Sequence, residues 1–302
     1  MRAGGVLLIL LALLALLGPA IQRESPTAQH RENIYEPPSF SRHLLGTDGL
    51  GRDVLARSLH AARFTFATAF AGVVLVVLVG GAAGAAAGLL GGFPDRLIMR
   101  ATELTMALPA LYLILAIRNL FPDSIGRFTA AFLIVLSLAA LGWSGVARLV
   151  RGQVLSIREE AYVASARAAG ASRLRLVAVH ILGVLRPFLL LQVGLYLPYF
   201  LLGEVTLSYM GLGLAEPDPS FGNMLASALR DASFLGRRYW LWVPPAGLLT
   251  LAVLGSNLWI ESLRARYAGS SERAGFVSWA VRASRLWSSS MWGSKHLRQR
   301  AS

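Results

Sequence analysis

Six apolar stretches, separated by polar segments, run along this chain of 302 residues. An α-helix needs roughly 17–25 residues to cross a bilayer, and the stretches are close to that length. The pattern therefore predicts an all-α integral membrane protein with six transmembrane helices. The predicted spans cover residues 6–21, 64–90, 97–117, 128–150, 188–210 and 241–263.

The polar segments divide the chain and predict its orientation. Most of the 29 Arg and Lys residues fall on one side of the membrane if the N-terminus is inside, and short cytoplasmic loops are the basic ones. Both termini are therefore expected in the cytoplasm. The predicted regions are a first transmembrane helix (1–21), an external segment with an amphipathic helix (22–62), a five-helix core (63–263) and a basic tail (264–302).

Two of these regions leave alternatives open. The first span, with Arg2 before it and Pro19 near its end, also fits a cleaved signal peptide. In the tail, aromatic and apolar residues recur at helical steps between Phe276 and Met291, which fits a helix lying in the inner membrane surface. A disordered basic tail is the alternative, because serines interrupt the region.

The polar segment between the fourth and fifth spans predicts a helix outside the bilayer, over residues 156–170. Ser156 and Glu159 fit a capping box at its start, and Gly170 fits a left-handed cap at its end. Alanines give this helix a face so small that the backbone of another protein could approach it. We therefore expect the helix to be presented to a partner.

The second span carries small residues at four-residue spacing, namely Gly80, Gly84, Gly88 and Gly92. Such a stripe lets transmembrane helices pack backbone to backbone. It predicts close helix packing, either within this subunit or against a second one.

Polar residues within the spans are candidates for a translocation path, because ionisable groups in a membrane face protein or water. The candidates are Glu204, Thr206 and Ser208 in the fifth span. A structural role for Glu204, hydrogen-bonded to a neighbouring helix, is the alternative. In the third span, Pro109 predicts a kink.

The external segment holds a further group of polar residues. Thr47 or Asp48 is expected to cap an amphipathic helix whose apolar residues, from Leu50 to Leu59, face the membrane or a partner. The alternative is a direct role at an outer gate, for which Asp48, Arg52 and Asp53 are the candidates.

Four stretches resemble, in order and spacing, the permease subunits of binding-protein-dependent ABC importers. The resemblance is to the dipeptide, oligopeptide and nickel branch, and within it to the second, C-type permease. The polar helix at 156–170 corresponds to the cytoplasmic EAA motif of these permeases. The four stretches are HLLGTDGLGRDV (43–54), GWSGVARLVR (142–151), EVTLSYMGLG (204–213) and PSFGNML (219–225).

The resemblance implies a type I permease fold in the bacterial inner membrane, with the first helix retained. It implies that ATP and Mg²⁺ are used on two separate ATPase subunits, onto which the 156–170 helix docks. A second homologous (B-type) permease and an extracytoplasmic solute-binding protein would complete the transporter, and the cargo would be small peptides or a similar solute such as a nickel complex. The implied docking residues are Glu160, Ala161, Ala164, Ser165, Ala168, Gly170 and Ser172.

The sequence departs from the pattern of this family at two places. Ala164 stands where a second glutamate is usual, six residues before Gly170, and Gly183 and Val184 replace a proline and an asparagine. These departures leave the detailed docking contacts open.

Residues that could carry chemistry are scarce. The chain has no cysteine and no Gly-x-x-x-x-Gly-Lys-Ser/Thr phosphate loop, and its five histidines are scattered, so no cofactor or metal site is expected. The net charge of +13 is attributed to cytoplasmic arginines and not to nucleic-acid binding. We therefore expect a translocation subunit and not an enzyme, with a self-contained secondary transporter as the alternative.

Overall fold

The computed structural model describes residues 2–22, 24–40, 42–121, 126–161, 163, 168, 182–230 and 237–271. Within these ranges the chain is helical apart from irregular connections, and short 3-10 turns cover Arg31–Asn33 and Tyr239–Leu241. The α-helices are α1 (Arg2–Ile21), α2 (Val54–Leu90), α3 (Gly92–Ala107), α4 (Ala110–Arg118), α5 (Arg127–Arg158), α6 (Leu182–Tyr209), α7 (Phe221–Leu229) and α8 (Val243–Ser271).

Five of these helices, α1, α2, α5, α6 and α8, are long and apolar enough to cross a membrane. Helices α3 and α4 make a sixth span if they are counted as one element, bent by 94°. The backbone of Leu108 is extended at the bend, because the ring of the following Pro109 disfavours helical backbone there. The prediction of an all-α membrane protein is confirmed.

The glycine stripe packs α2 against α5 inside this subunit. A Cβ atom at Gly80 would lie 2.6 Å from the backbone oxygen of Trp143, and one at Gly88 would lie 2.8 Å from Cβ of Val154. Helices approach this closely only where no side chain stands between them. Internal packing is therefore confirmed for Gly80 and Gly88, whereas Gly92 has open space around its Cβ position.

The remaining spans pack around this helix pair. Helix α1 lies on α8, where Gly4 contacts Leu258, and on α2, where Gly18 contacts Leu59. Helix α6 contacts both α2 and α8. The C-terminal ends of α1 and α6 therefore lie at the same end of the subunit as the beginning of α2.

Residues 24–40 and 42–53 form a largely irregular segment, called here the cap segment, over that end of the helices. The indole Nε1 of Trp240 donates a hydrogen bond to the backbone oxygen of Thr47 at 3.1 Å, and the Thr47 hydroxyl donates to the backbone oxygen of Asn33. We call the end of the subunit beneath the cap segment the capped end, and the end that holds Gly88 and Arg158 the opposite end.

The predicted start of the amphipathic helix is wrong. The helical residues of that segment are the first turns of α2, which begins at Val54 and continues without a break through the second span. Its cap is Asp53 and not Thr47 or Asp48: the Asp53 Oδ1 accepts a hydrogen bond from the backbone N–H of Ala56 at 2.7 Å. These first turns are largely buried beneath the cap segment, so they have no open apolar face.

The predicted capping box at Ser156 and Glu159 is also wrong. Helix α5 continues to Arg158, and the Glu159 N–H donates to the backbone oxygen of Ser156 at 3.2 Å. Contacts with α2 prolong α5, since Ile157 is buried and the Arg158 guanidinium donates to the Gly88 oxygen at 2.6 Å. Tertiary packing overrides the local capping signal.

Candidate functional site

Charged side chains at the capped end join the cap segment, the start of α2 and the loop between α6 and α7. Asp48 lies in the cap segment and stabilises a local turn there. Its Oδ1 accepts hydrogen bonds from the backbone N–H groups of Leu50 and Arg52 at 2.9 and 3.0 Å, and its Oδ2 accepts from Arg52 Nε at 2.7 Å. This tight local turn holds the Arg52 guanidinium in one orientation.

Glu216, in the loop between α6 and α7, accepts hydrogen bonds from two arginines. One guanidinium nitrogen of Arg52 lies 2.7 Å from its Oε2, and one of Arg57 lies 3.0 and 3.1 Å from its two oxygens. Arg57 also donates to the backbone oxygens of Pro26 and Pro217, both at 3.3 Å. One buried cation therefore connects three separate segments.

The side chain of Arg57 is only 2% exposed, so its charge depends on the carboxylates near it. Besides Glu216, Asp48 lies 3.6 Å from Arg57 Nε. A buried ion that loses its partners is strongly destabilising. We call Asp48, Arg52, Arg57 and Glu216 the arginine clamp.

Next to the arginine clamp, the structure brings together residues that seemed scattered in the sequence. Nδ1 of His43 lies 2.8 Å from Oδ2 of Asp53, and Nε2 of His30 lies 3.0 Å from Oε1 of Glu24. One ligand atom each of Glu24, His43 and Asp53 lies within 4.8 Å of the other two. Asp53 already uses one oxygen for the α2 cap and the other for His43, so hydrogen bonding accounts for the group.

The loop that carries Glu216 is anchored by the start of α7. Ser220 and Asn223 form a capping box, in which each side chain accepts a hydrogen bond from the other's backbone N–H, at 3.2 and 3.0 Å. The Asn223 carboxamide donates to the backbone oxygens of Leu214 and Asp218 at 3.2 and 2.7 Å. The sequence PSFGNML therefore fixes the loop that presents Glu216.

Glu204 lies in the interior of the subunit. Its side chain is completely buried, its Oε1 accepts a hydrogen bond from the Ser208 hydroxyl at 2.7 Å, and its Oε2 has no hydrogen-bond partner within the described residues. Thr65 of α2 lies beside the same carboxylate. Glu204 and Ser208 therefore face α2.

Thr206 lies on the other side of α6. It is exposed, and its hydroxyl donates to the backbone oxygen of Leu202 at 2.7 Å. The three residues predicted for a translocation path do not form one surface, because residues two positions apart on a helix point in nearly opposite directions.

Comparison with known proteins agrees with this architecture. Residues 78–268 match the family described as binding-protein-dependent transport system inner membrane component. The chain belongs to that family. It is 36% identical to the di/tripeptide transport system permease protein DppC of Pseudomonas aeruginosa (strain UCBPP-PA14), over 86% of this chain and 85% of that protein. It is 31% identical to the oligopeptide transport system permease protein OppC of Bacillus subtilis (strain 168), over 86% and 82%.

The chain is thus a multi-pass inner-membrane permease, and its predicted docking segment follows α5 at the opposite end. Glu160 lies in the turn after α5, while Ala161 and Ala168 are helical and exposed. The remaining predicted docking residues lie outside the described residues, namely Ala164, Ser165, Gly170 and Ser172. The predicted tail helix also lies outside them.

Two contacts hold the end of α5 in the permease. Arg151 binds Asp95 of α3 through two hydrogen bonds, of 2.5 Å from Nε and 2.6 Å from a terminal nitrogen. Arg158 donates to the Gly88 oxygen at the end of α2. Three helices therefore meet where the predicted docking segment leaves the membrane part.

The roles of Arg57 and Glu216 were not predicted from the sequence. Arg57 stands among apolar residues at the start of α2, which was a signal for a buried and paired charge. Glu216 lies between two of the stretches that carry the family resemblance. Its partners are far away in the sequence, so no local periodicity could connect them.

Proposed function

We propose that this permease carries small peptides across the inner membrane, after delivery by an extracytoplasmic binding protein. The names of its relatives, which are di/tripeptide and oligopeptide permeases, support this cargo. A second, B-type permease pairs with it, and two separate ATPase subunits use ATP and Mg²⁺. The arginine distribution supports cytoplasmic termini and, with them, a capped end on the outer side of the membrane.

The structural observation that supports coupling to separate ATPase subunits is the junction of α2, α3 and α5 at the opposite end. Because the sequence contains no phosphate loop, energy has to arrive as a mechanical displacement. A movement of the segment after Arg158 would pull on α5, and through the Arg151–Asp95 pair on α3. The glycine contacts then transmit the movement to α2, since close-packed helices move as one body.

At the capped end, the arginine clamp acts as the outer gate. Arg52 connects Asp48 of the cap segment to Glu216 of the loop that follows α6. A movement of α6 relative to α2 therefore breaks the contacts with Glu216. Asp53 takes part indirectly, because it caps α2 and holds His43.

The docking step is tested at Ala168, which is exposed. In cells that contain the complete transporter, Ala168→Glu should lower uptake of radiolabelled dialanine at least about tenfold, because a bulky charge would clash with the ATPase surface. The amount of permease in the membrane should stay the same. Ala168→Ser, which keeps the residue small, is the matched control and should transport normally. Normal uptake by Ala168→Glu would refute docking at this face.

A further inference from the structure

A groove opens between α6 and α8 on the surface of the subunit. Both helices are membrane-spanning by length and composition, so the groove lies at membrane depth. It has a volume of about 300 Å³. Its lining consists of Leu202 on α6 and of Leu249, Thr250, Val253, Leu254 and Asn257 on α8.

Two of the lining residues are polar and point out of the subunit. Thr250 and Asn257 are both exposed. The Thr250 hydroxyl is satisfied, because it donates to the backbone oxygen of Ala246 at 2.7 Å. The Asn257 carboxamide makes no hydrogen bond within the described part of the chain. A group with two donors and one acceptor is therefore left open to whatever occupies the groove.

The polar face extends beyond the groove along both helices. On α8, the exposed residues Thr250, Asn257 and Glu261 follow one another at helical steps that keep them on one side. On α6, Thr206 is exposed one turn after Leu202. Polar positions thus follow the groove from the capped end towards the opposite end.

The other exposed side of α8 is apolar. Leu251 is adjacent to Thr250 but lies about 100° further around the helix, and it is 41% exposed. Side chains that face hydrocarbon are apolar, whereas polar side chains inside a membrane face protein or water. Because Thr250, Asn257 and Glu261 lie on one side of α8, that is the side of the helix on which we expect protein, water or cargo.

We propose that this groove is the wall that the permease contributes to the peptide path, and that Asn257 hydrogen-bonds the backbone of the passing peptide. A carboxamide matches the donors and acceptors that every peptide bond offers, while the leucines of the groove accept side chains without selecting among them. The inference rests on the proposed function. It moves the path from Glu204 and Ser208 to the Thr206 side of α6.

The absence of cysteine from the natural sequence allows a direct test. In the assembled transporter, Asn257→Cys and Thr250→Cys should react with a membrane-impermeant maleimide in right-side-out or inverted vesicles. Leu251→Cys, the matched control on α8 outside the groove lining, should remain unreacted. The mass shift of this chain on a gel reports the reaction, so cysteines of the partner subunits do not interfere. Dialanine together with the binding protein should slow labelling at Asn257→Cys.

Absence of labelling at both groove positions, with the exposed cap-segment variant Ser25→Cys labelled, would mean that lipid or a partner helix covers the groove, and would overturn the inference.

Uptake provides an independent readout: Asn257→Leu should lower dialanine uptake about tenfold at unchanged amounts of complex, and Asn257→Gln should restore part of it. If Asn257→Leu transports as well as the wild type, the inference fails while the proposed function stands. Failure of the wild type to take up dialanine would instead refute the proposed cargo.

Discussion

At the scale of single residues, the permease uses buried charge to join segments that are distant in the sequence. Arg57 is the clearest case, since its guanidinium contacts the cap segment, the α6–α7 loop and two carboxylates while its side chain is 2% exposed. Glu204 is buried in the same way, but it contacts Ser208 on its own helix. Burial alone therefore does not show whether an ionisable residue in a span lines a path or stabilises the fold.

The arginine clamp predicts a large effect of Arg57→Gln on stability. The shorter neutral side chain leaves Glu216 with a single arginine, Arg52, and removes the arginine donor from the backbone oxygens of Pro26 and Pro217. We expect the free energy of unfolding to fall by about 1–3 kcal/mol, measured as a lower unfolding midpoint of the purified complex. Arg100→Gln is the control, because its pair with Glu103 is exposed and such pairs contribute less than about 1 kcal/mol.

Residue-scale prediction from the sequence succeeded where the signal was local. Asp48, Arg52 and Asp53 were found as a polar group, and the structure places all three at the capped end. Their detailed roles were not found, because the cap of α2 depends on where the helix begins. Glu216 was missed because its partner Arg52 lies 164 positions away in the sequence.

At the scale of helices, hydrophobic length identified the spans and misplaced their ends. The predicted fourth span stopped at residue 150, whereas α5 continues to Arg158. The extra turns are held by tertiary contacts with α2, such as that of Arg158 with Gly88. The kink at Pro109 was predictable because proline acts on its immediate neighbour. Helix ends that depend on packing were not predictable in this way.

Two neighbouring glycines of α2 provide a test of the helix packing. At Gly80 an added Cβ would lie 2.6 Å from the Trp143 oxygen and 2.7 Å from Cβ of Val146, whereas at Gly81 it would lie 3.6 Å from the Leu189 side chain. Gly80→Ala should therefore push α2 and α5 apart and cost about 1–3 kcal/mol, and Gly81→Ala should be tolerated. The yield and unfolding midpoint of the detergent-solubilised complex measure this. Equal behaviour of the two variants would contradict the packing.

At the scale of the whole molecule, contacts that hold helices together are found at both ends of the subunit. The opposite end ties α5 to α2 and α3, next to the segment proposed to meet the ATPase. The capped end ties the start of α2 to the loop after α6. The close α2–α5 contact connects the two ends. A change at one end should therefore be measurable at the other.

Weakening the arginine clamp should consequently raise ATP hydrolysis without a binding protein. Arg52→Gln removes the 2.7 Å contact with Glu216 and the 2.7 Å contact with Asp48, so the capped end opens more easily and the coupled rearrangement at the ATPases becomes less costly. We expect the basal ATPase activity of the purified complex to rise severalfold, because the coupling free energy between distant sites is typically about 1–3 kcal/mol. Arg42→Gln removes an exposed arginine of the cap segment and should leave that activity unchanged. Unchanged basal activity in Arg52→Gln, with the complex intact, would show that the arginine clamp stabilises the fold without acting as a gate.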